Sequence, residues 1–315
     1  MVRVTDLIAE TAAVAARPPS TAAAAAWLAA TAAAAESGVR IVELGDLHDL
    51  RDVQALFDSI WNPAPDNRPV TIELMRALTK AGNPLTGAYE GTRLVGACVG
   101  FFGAPGGTSL HSHVTGVART AQRRSIGRAL KLHQRAWALD RGITRITWTF
   151  DPLVRRNAWF NLSRLGATPL EYLPDFYGRM DDTINADDQS DRLLTAWALD
   201  SDPVVRAVAG EPVQVDLAGL LAAGAVAVVA PGPDGAPVVS PGATGHPWLV
   251  AVPPDVETLR ARAPQLAAQW RLAVREALGG ALDAGARVHG FAREGWYVVD
   301  GVAPAGAPEP GRATP

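Results

Sequence analysis

Two rhythms of apolar positions run through the middle of the chain. Leu47 to Trp61 places apolar side chains at 47, 50, 53, 56, 57 and 60. That is the spacing of an amphipathic helix, and Asn62-Pro-Ala-Pro-Asp-Asn-Arg-Pro69 breaks it. Thr71 to Ala81 predicts a second helix. Val39 to Leu44 alternates like a strand, and Gly87 to Phe102 predicts two strands around a turn at Glu90-Gly91. A strand follows over Ser109–Ala118, a helix over Ser125–Arg141 and a strand over Arg145–Phe150. A helix over Arg156–Leu165 is closed by Gly166 in the C-cap position, and strands are expected over Thr168–Leu173 and Arg192–Leu199. The order β-α-α-β-β-β-α-β-α-β-β interleaves the two element types, so the expected fold class is α/β with a mixed central sheet.

The flanks read differently. Residues 18–35 carry no charge and are mostly Ala. They read either as an Ala-rich helix, with Trp27 and Leu28 as its anchors on the protein body, or as a poorly ordered extension. The opening Met1-Val-Arg-Val-Thr-Asp6-Leu-Ile-Ala-Glu10 is acidic and is followed by Pro18-Pro19, a poor match to a signal peptide. Ala is too weakly apolar for a spanning helix. After Asp200-Ser-Asp-Pro203 the texture turns to Val, Ala, Gly and Pro, with strands predicted at Ala225–Ala230, Pro237–Ser240 and Trp248–Val252. Asp255–Ala284 predicts a long helix bent at Pro264 and at Gly279-Gly280, with an apolar stripe of Leu259, Leu266, Trp270, Val274, Leu278 and Leu282. A hairpin at Val288–Phe291 and Trp296–Val299 closes it. The chain divides into an N-terminal helix or extension (1–38), an α/β domain (39–200), a smaller α+β extension (204–300) and a disordered tail (301–315).

Composition narrows the function. The 29 Lys+Arg against 32 Asp+Glu give a net charge of −3, so no basic excess points to nucleic acid and nothing points to a membrane. The single cysteine, Cys98, excludes an intrachain disulfide and a multi-cysteine zinc site, and suits a reducing cytoplasm.

The chemistry concentrates in Val114-Thr-Gly-Val117-Ala-Arg-Thr-Ala-Gln122-Arg123-Arg124-Ser125-Ile126-Gly127-Arg128. It reads as strand, basic loop, helix. The first-turn amides of a helix have no intrahelical partners, and with the positive end of the helix dipole they form an anion site. Gly127 permits close backbone approach. Arg119, Arg123, Arg124 and Arg128 add positive charge, and Ser125 is a good N-cap residue.

Gln122-x-x-Ser125-x-Gly127 resembles the pyrophosphate loop of the GNAT N-acyltransferases, written Gln/Arg-x-x-Gly-x-Gly/Ala, with Ser125 in place of the first Gly. The element order of 39–199 is that of the GNAT fold. Asn157-Ala-Trp-Phe-Asn-Leu-Ser-Arg-Leu-Gly166 looks like the family's second CoA-contacting helix. Phe150 to Asn157, Phe176 to Asn185 and Ser190 to Leu194 resemble a bacterial GNAT subfamily with a C-terminal extension. The resemblance implies transfer of an acyl group from acyl-CoA to a primary amine by direct attack. Acetyl-CoA is the default donor and succinyl-CoA the alternative, with no metal. The acceptor is a small-molecule amine or an amino acid. A catalytically weak acyl-CoA sensor is the competing reading.

The implied CoA contacts are Val117, Gln122 to Arg128 and Asn157, along a split between strands Ser109–Ala118 and Arg145–Phe150. Tyr177 is placed like the family's general acid, or packs against the extension. His111 and His113, two apart on a strand, share a face. Either one is a candidate base, directly or through water, or both line the sheet as hydrogen-bonded histidines. A His-x-His strand also resembles half of a metal site, without an evident third ligand. Asp151 and Glu171 are alternative bases. The extension would cover the acceptor side of the split or form a homodimer contact.

Overall fold

The computed structural model describes residues 20–64, 67–104, 107–178 and 188–301. The expectations for the residues before 20, and for the tail past Gly301, lie outside them. The first sheet has seven strands: β1 (Arg40–Glu43), β2 (Leu85–Glu90), β3 (Arg93–Phe102), β4 (Ser109–Val117), β5 (Arg145–Phe150), β6 (Thr168–Leu173) and β7 (Arg192–Ala198). Their order in space is β1-β2-β3-β4-β5-β7-β6. All neighbours are antiparallel except β4 and β5.

Helices cover both faces of this sheet. They are α1 (Thr21–Glu36), α2 (Leu47–Trp61), α3 (Ile72–Lys80), α4 (Ile126–Asp140) and α5 (Arg155–Ala158), which a π-helical turn continues to Arg164. The Asp46 carboxylate accepts from the His48 and Asp49 amides and starts α2. The Thr71 hydroxyl starts α3 by accepting from Leu74. Leu50, Val53, Phe57 and Met75 pack with Ala97 and Val99 on one face of β3. Cys98, one residue out of phase, points to the other face and meets Ile126 and Leu130 of α4.

The first helix corrects one expectation. Trp27 does reach the body, meeting the His133 ring edge-on at 5.0 Å between centroids, but Leu28 is 75% exposed. The buried face of α1 is Ala23, Ala26, Ala30 and Ala33, turned toward α4. The three-and-four spacing of these alanines makes a smooth seam, and a methyl group lets two backbones come closer than Leu allows. Leu28 falls on the opposite side of the helix.

The extension begins with α6 (Asp202–Val208) and α7 (Leu217–Ala222), which the pattern of residues did not predict. Two turns or fewer are too short to display a helical period. There follow β8 (Val226–Pro231), β9 (Pro237–Val239), β10 (Trp248–Ala251), α8 (Val256–Arg262), α9 (Pro264–Val274), a π-helical turn through Gly279, α10 (Gly280–Asp283), β11 (Val288–Ala292) and β12 (Trp296–Val299). The predicted break at Pro264 is present. The second sheet runs β11-β12-β10-β8-β9, with β8 and β10 parallel. Trp270, Val274 and Leu278 of the expected stripe are buried, while Leu259, Leu266 and Leu282 are partly so. They share one continuous core with Trp148, Tyr172 and Leu193 of the first sheet.

The seam makes a stability prediction. Ala26→Leu should cost about 1–3 kcal/mol by overpacking, whereas Leu28→Ser should stay within about 0.5 kcal/mol. Urea unfolding of both variants checks the contrast.

Candidate functional site

The site is built on the parting of two strands. β4 and β5 pair only at Ser109↔Arg145, Leu110↔Ile146 and His111↔Thr147. Beyond these, β4 stays paired with β3 as far as Val117, and β5 with β7 as far as Phe150. Ser112–Val117 and Trp148–Phe150 therefore face each other across a cleft without bonding. A β-bulge assists. Val99 pairs with Val114 but Gly100 with Ser112, so His113 is the extra residue on β4. Bulges increase local twist and turn a strand away from its neighbour. Across the parallel pair from β4, β5 offers Thr147 and Thr149 to the same face.

The loop from Gln122 to Gly127 lies at the end of β4 and opens into α4. Arg123 and Ser125 both have left-handed backbone, φ +65° and +61°. Ser125 thus occupies a conformation that favours glycine. This explains physically why a glycine is usual there. It also corrects the N-cap expectation, because the Ser125 side chain makes no capping bond. A Cβ added at Gly127 would meet nothing nearer than Val117 Cγ2 at 4.0 Å. Packing does not demand glycine at 127, and the space beside it is open to an anion. Gln122 and Arg123 are exposed. Two of the expected arginines are turned elsewhere. Arg124 binds Glu90 on the β2–β3 hairpin at 2.5 Å, and Arg128 donates to the Val208 carbonyl at 2.7 Å. Asn157 sits on α5, and its backbone amide bonds the Val154 carbonyl.

His111 and His113 share a face, as their spacing requires, and both rings stack near Phe101. His111 Nδ1 lies 3.0 Å from Thr147 Oγ1. Burial, reinforced by His113 and Lys131, pushes the His111 imidazole down to about 4. It is therefore neutral at pH 7 and a weak proton acceptor. His113 Nε2 donates to the Pro69 carbonyl at 2.9 Å, which leaves Nδ1 with the lone pair in the neutral ring. Tyr177 is half-exposed beside the free lip of β5. Its hydroxyl lies 3.1 Å from Thr149 Oγ1, and its backbone amide is fixed by Ser190 Oγ at 2.8 Å.

Two alternatives for the base change character. Asp151 is buried, and burial alone would raise its carboxyl. Arg271 and Arg260 outweigh that and hold it well below the usual carboxylate range. A carboxylate saturated by two guanidinium groups is a tether, not a base. Glu171 is exposed on the edge strand β6. Among the described residues no group of three or more His, Cys, Asp or Glu side chains is placed to hold a metal ion, and no helix is long and apolar enough to cross a membrane.

The sequence also concealed Lys131. It reads as a surface charge, yet it is buried under the point where β4 and β5 part. Its Nζ donates to Ser112 Oγ at 2.7 Å and sits 4.1 Å from the centre of the Trp148 ring. Burial pushes its ammonium down to about 8. A lysine flanked by Leu130 and Leu132 was the available signal.

A parallel pair that splays, followed by a loop and a helix, is the arrangement that the sequence resemblance leads one to expect. Residues 47–166 match the profile of the acetyltransferase (GNAT) family. None of the curated proteins matches the chain. Solved structures similar to it include the ribosomal-protein-S18-alanine N-acetyltransferase from Escherichia coli. That protein is 13% identical, with a TM-score of 0.42, covering 52% of this chain and 95% of that one. An N-acetyltransferase from Staphylococcus aureus Mu50 is 15% identical, with a TM-score of 0.42 over 51% and 98% of the two chains. A Salmonella typhimurium protein solved with its cofactor acetyl-CoA is 17% identical, with a TM-score of 0.40 over 52% and 95%.

Two measurements follow from this geometry. Ser125→Gly should stabilise the protein by about 1 kcal/mol by removing the left-handed strain, read as a higher urea midpoint at unchanged slope. His111 should titrate near pH 4 in an NMR titration, not near 6.5. Its unfolded state binds the proton first, so its contribution to stability is lost as pH falls from about 6.5 toward 4.

Proposed function

We propose that the protein is an acyl-CoA-dependent N-acyltransferase acting on a primary amine of a small molecule or amino acid, with acetyl-CoA the first donor to test. One observation carries this reading: β4, whose far half parts from β5, runs through a short turn into the Gln122–Gly127 loop at the start of α4, inside the part of the chain that matches the GNAT family.

In this reading the amides of Gln122–Gly127, with the dipole of α4, hold the pyrophosphate, and exposed Arg123 adds charge. The unpaired edge of β4 through Val117 offers backbone groups to the pantetheine arm and to the thioester carbonyl. Asn157 on α5 flanks the opposite side. Acyl-CoA supplies an activated thioester. The chain's own residues must then move two protons. In this reading His113 takes the amine proton, because the imidazole of His111 is held neutral and weakly basic. Tyr177, at the lip of β5, gives its phenolic proton to the leaving sulfur. The neutral amine attacks the carbonyl, the C–S bond breaks, and the proton lost by the amine balances the one gained by sulfur.

A second reading is supported by Ser125 and Arg124. A strained residue in the glycine position, and an arginine committed to Glu90, weaken the anion site and suit a module that binds acyl-CoA without turning it over. Succinyl-CoA is the alternative donor. Release of free thiol from acetyl-CoA or succinyl-CoA in the presence of an amine pool decides among these. Native mass spectrometry of the protein as isolated would show any retained acyl-CoA.

Gly127→Asp places a carboxylate against the pyrophosphate. Calorimetry should show CoA affinity reduced by at least about tenfold in a folded variant. Unchanged affinity would remove the loop from the site.

A further inference from the structure

We infer that Thr149 is a positioning residue for the acid that protonates the leaving sulfur. This rests on the reading of Tyr177 given above, and it goes beyond that reading by naming what holds the phenol in place.

Thr149 lies on β5 two residues past Thr147, the last residue to pair with β4. On its other side β5 is still held, with Thr149 opposite Leu194 of β7. It is thus a fixed point on a free lip. Thr147 and Thr149 point to the same face. Each meets a titratable side chain there, Thr147 through His111 Nδ1 at 3.0 Å and Thr149 through the Tyr177 hydroxyl at 3.1 Å.

The loop carrying Tyr177 needs such a hold. Tyr177 follows β6 through a turn in which Asp175 has φ +43°, and the residue is 41% exposed. Its backbone is tied to Ser190, the Arg192 guanidinium lies 5.3 Å from its ring centre, and Phe176 meets it edge-on. None of these contacts fixes where the oxygen points. The bond to Thr149 does.

The direction of that bond matters. A phenol that is to give its proton to sulfur cannot also spend that proton on a neighbour. Thr149 Oγ–H therefore donates to the phenolic oxygen, and the phenolic hydrogen is left facing the cleft. After transfer the same bond steadies the phenolate until it is reprotonated, and the amine proton taken up by His113 balances the one the phenol gave. Thr149 itself neither gains nor loses a proton.

The test uses Thr149→Val, which keeps the shape and removes the hydroxyl, and Thr149→Ser, which keeps the hydroxyl and removes the methyl. Activity is read as thiol released from acetyl-CoA with a mixed pool of amino acids and polyamines. Thr149→Val should lower kcat about tenfold with the KM for acetyl-CoA unchanged, as expected for one lost hydrogen bond that matters in the transition state. Thr149→Ser should stay within about twofold, and Thr149→Val should add nothing in a Tyr177→Phe background. A second readout needs no turnover. In protein carrying 13Cζ-labelled tyrosine, the resonance missing from Tyr177→Phe should move in Thr149→Val and return in Thr149→Ser. A Thr149→Val enzyme of normal kcat beside a slow Tyr177→Phe would overturn this inference alone. An equal loss in both backgrounds, or an unmoved Tyr177 resonance, would overturn it too. A Tyr177→Phe enzyme as fast as the parent would overturn the acid reading itself, and this inference with it.

Discussion

The carboxylate of Asp151 is the point on which the two halves of the molecule hinge. It sits directly after β5, where the chain turns toward α5, and its own Oδ1 accepts the Leu153 amide at 2.9 Å. Arg271 of α9 grips it with both nitrogens, at 2.8 and 3.0 Å, and Arg260 of α8 adds a third contact. Asp188 bridges the same two arginines, each at 2.8 Å. Arg275 and Tyr172 meet at Asp191, and Tyr172 donates at 2.7 Å. An ion pair this deep gains little over a well-packed apolar pair, but losing one partner strands the other in low dielectric at a cost of about 3–5 kcal/mol. The network therefore specifies geometry more than it adds stability. It fixes the orientation of the turn that carries Asn157, and further contacts hold the same turn: Arg156 to Glu257, Arg155 to the Val252 carbonyl and Tyr297 to the Pro152 carbonyl.

This explains why the extension shares its core with the first sheet. Its β11 strand lies against the π-helical turn after α5 and against β6, α10 and the π-helical turn after α9 lie against β6, and Ser163 of the first π-helical turn donates to the Phe291 carbonyl. The cleft between β4 and β5 is thus braced from both directions. α4 and its loop are set by α1 and the sheet, and α5 is set by the extension. A cleft with pre-set walls spends less binding energy on ordering itself when a flexible donor enters.

Most of the architecture was legible because its signals are local. Leu47–Trp61 shows its helical period in sequence and in structure alike, and β5 and β6 begin and end where their alternation does. The strand, basic loop and helix order was enough to place the Gln122–Gly127 loop between β4 and α4. What stayed hidden depends on contacts far apart in the chain. Nothing near Asp151 announces two arginines more than a hundred residues away. Nothing near Arg124 announces Glu90. Leu28 seemed the natural anchor of α1 because it is large and apolar, yet the face that meets α4 was decided by closeness of approach, which favours Ala. Ser125 looked like a capping residue by type, and only the backbone angle shows that it is strained and not capping. Thr149 carried no signal beyond its spacing from Thr147.

The alanine seam of α1 has a consequence in entropy. A buried Leu or Met gives up rotamer freedom when it docks; Ala has none to give up. The contact between α1 and α4 therefore forms without that side-chain cost, and its cohesion comes from many close backbone and methyl contacts, each weak. Such an interface has no interlocking side chains to hold it in one register, so Trp27 against His133 supplies the registration. The helix that follows the Gln122–Gly127 loop is clamped by a surface that is smooth everywhere except at one aromatic tooth.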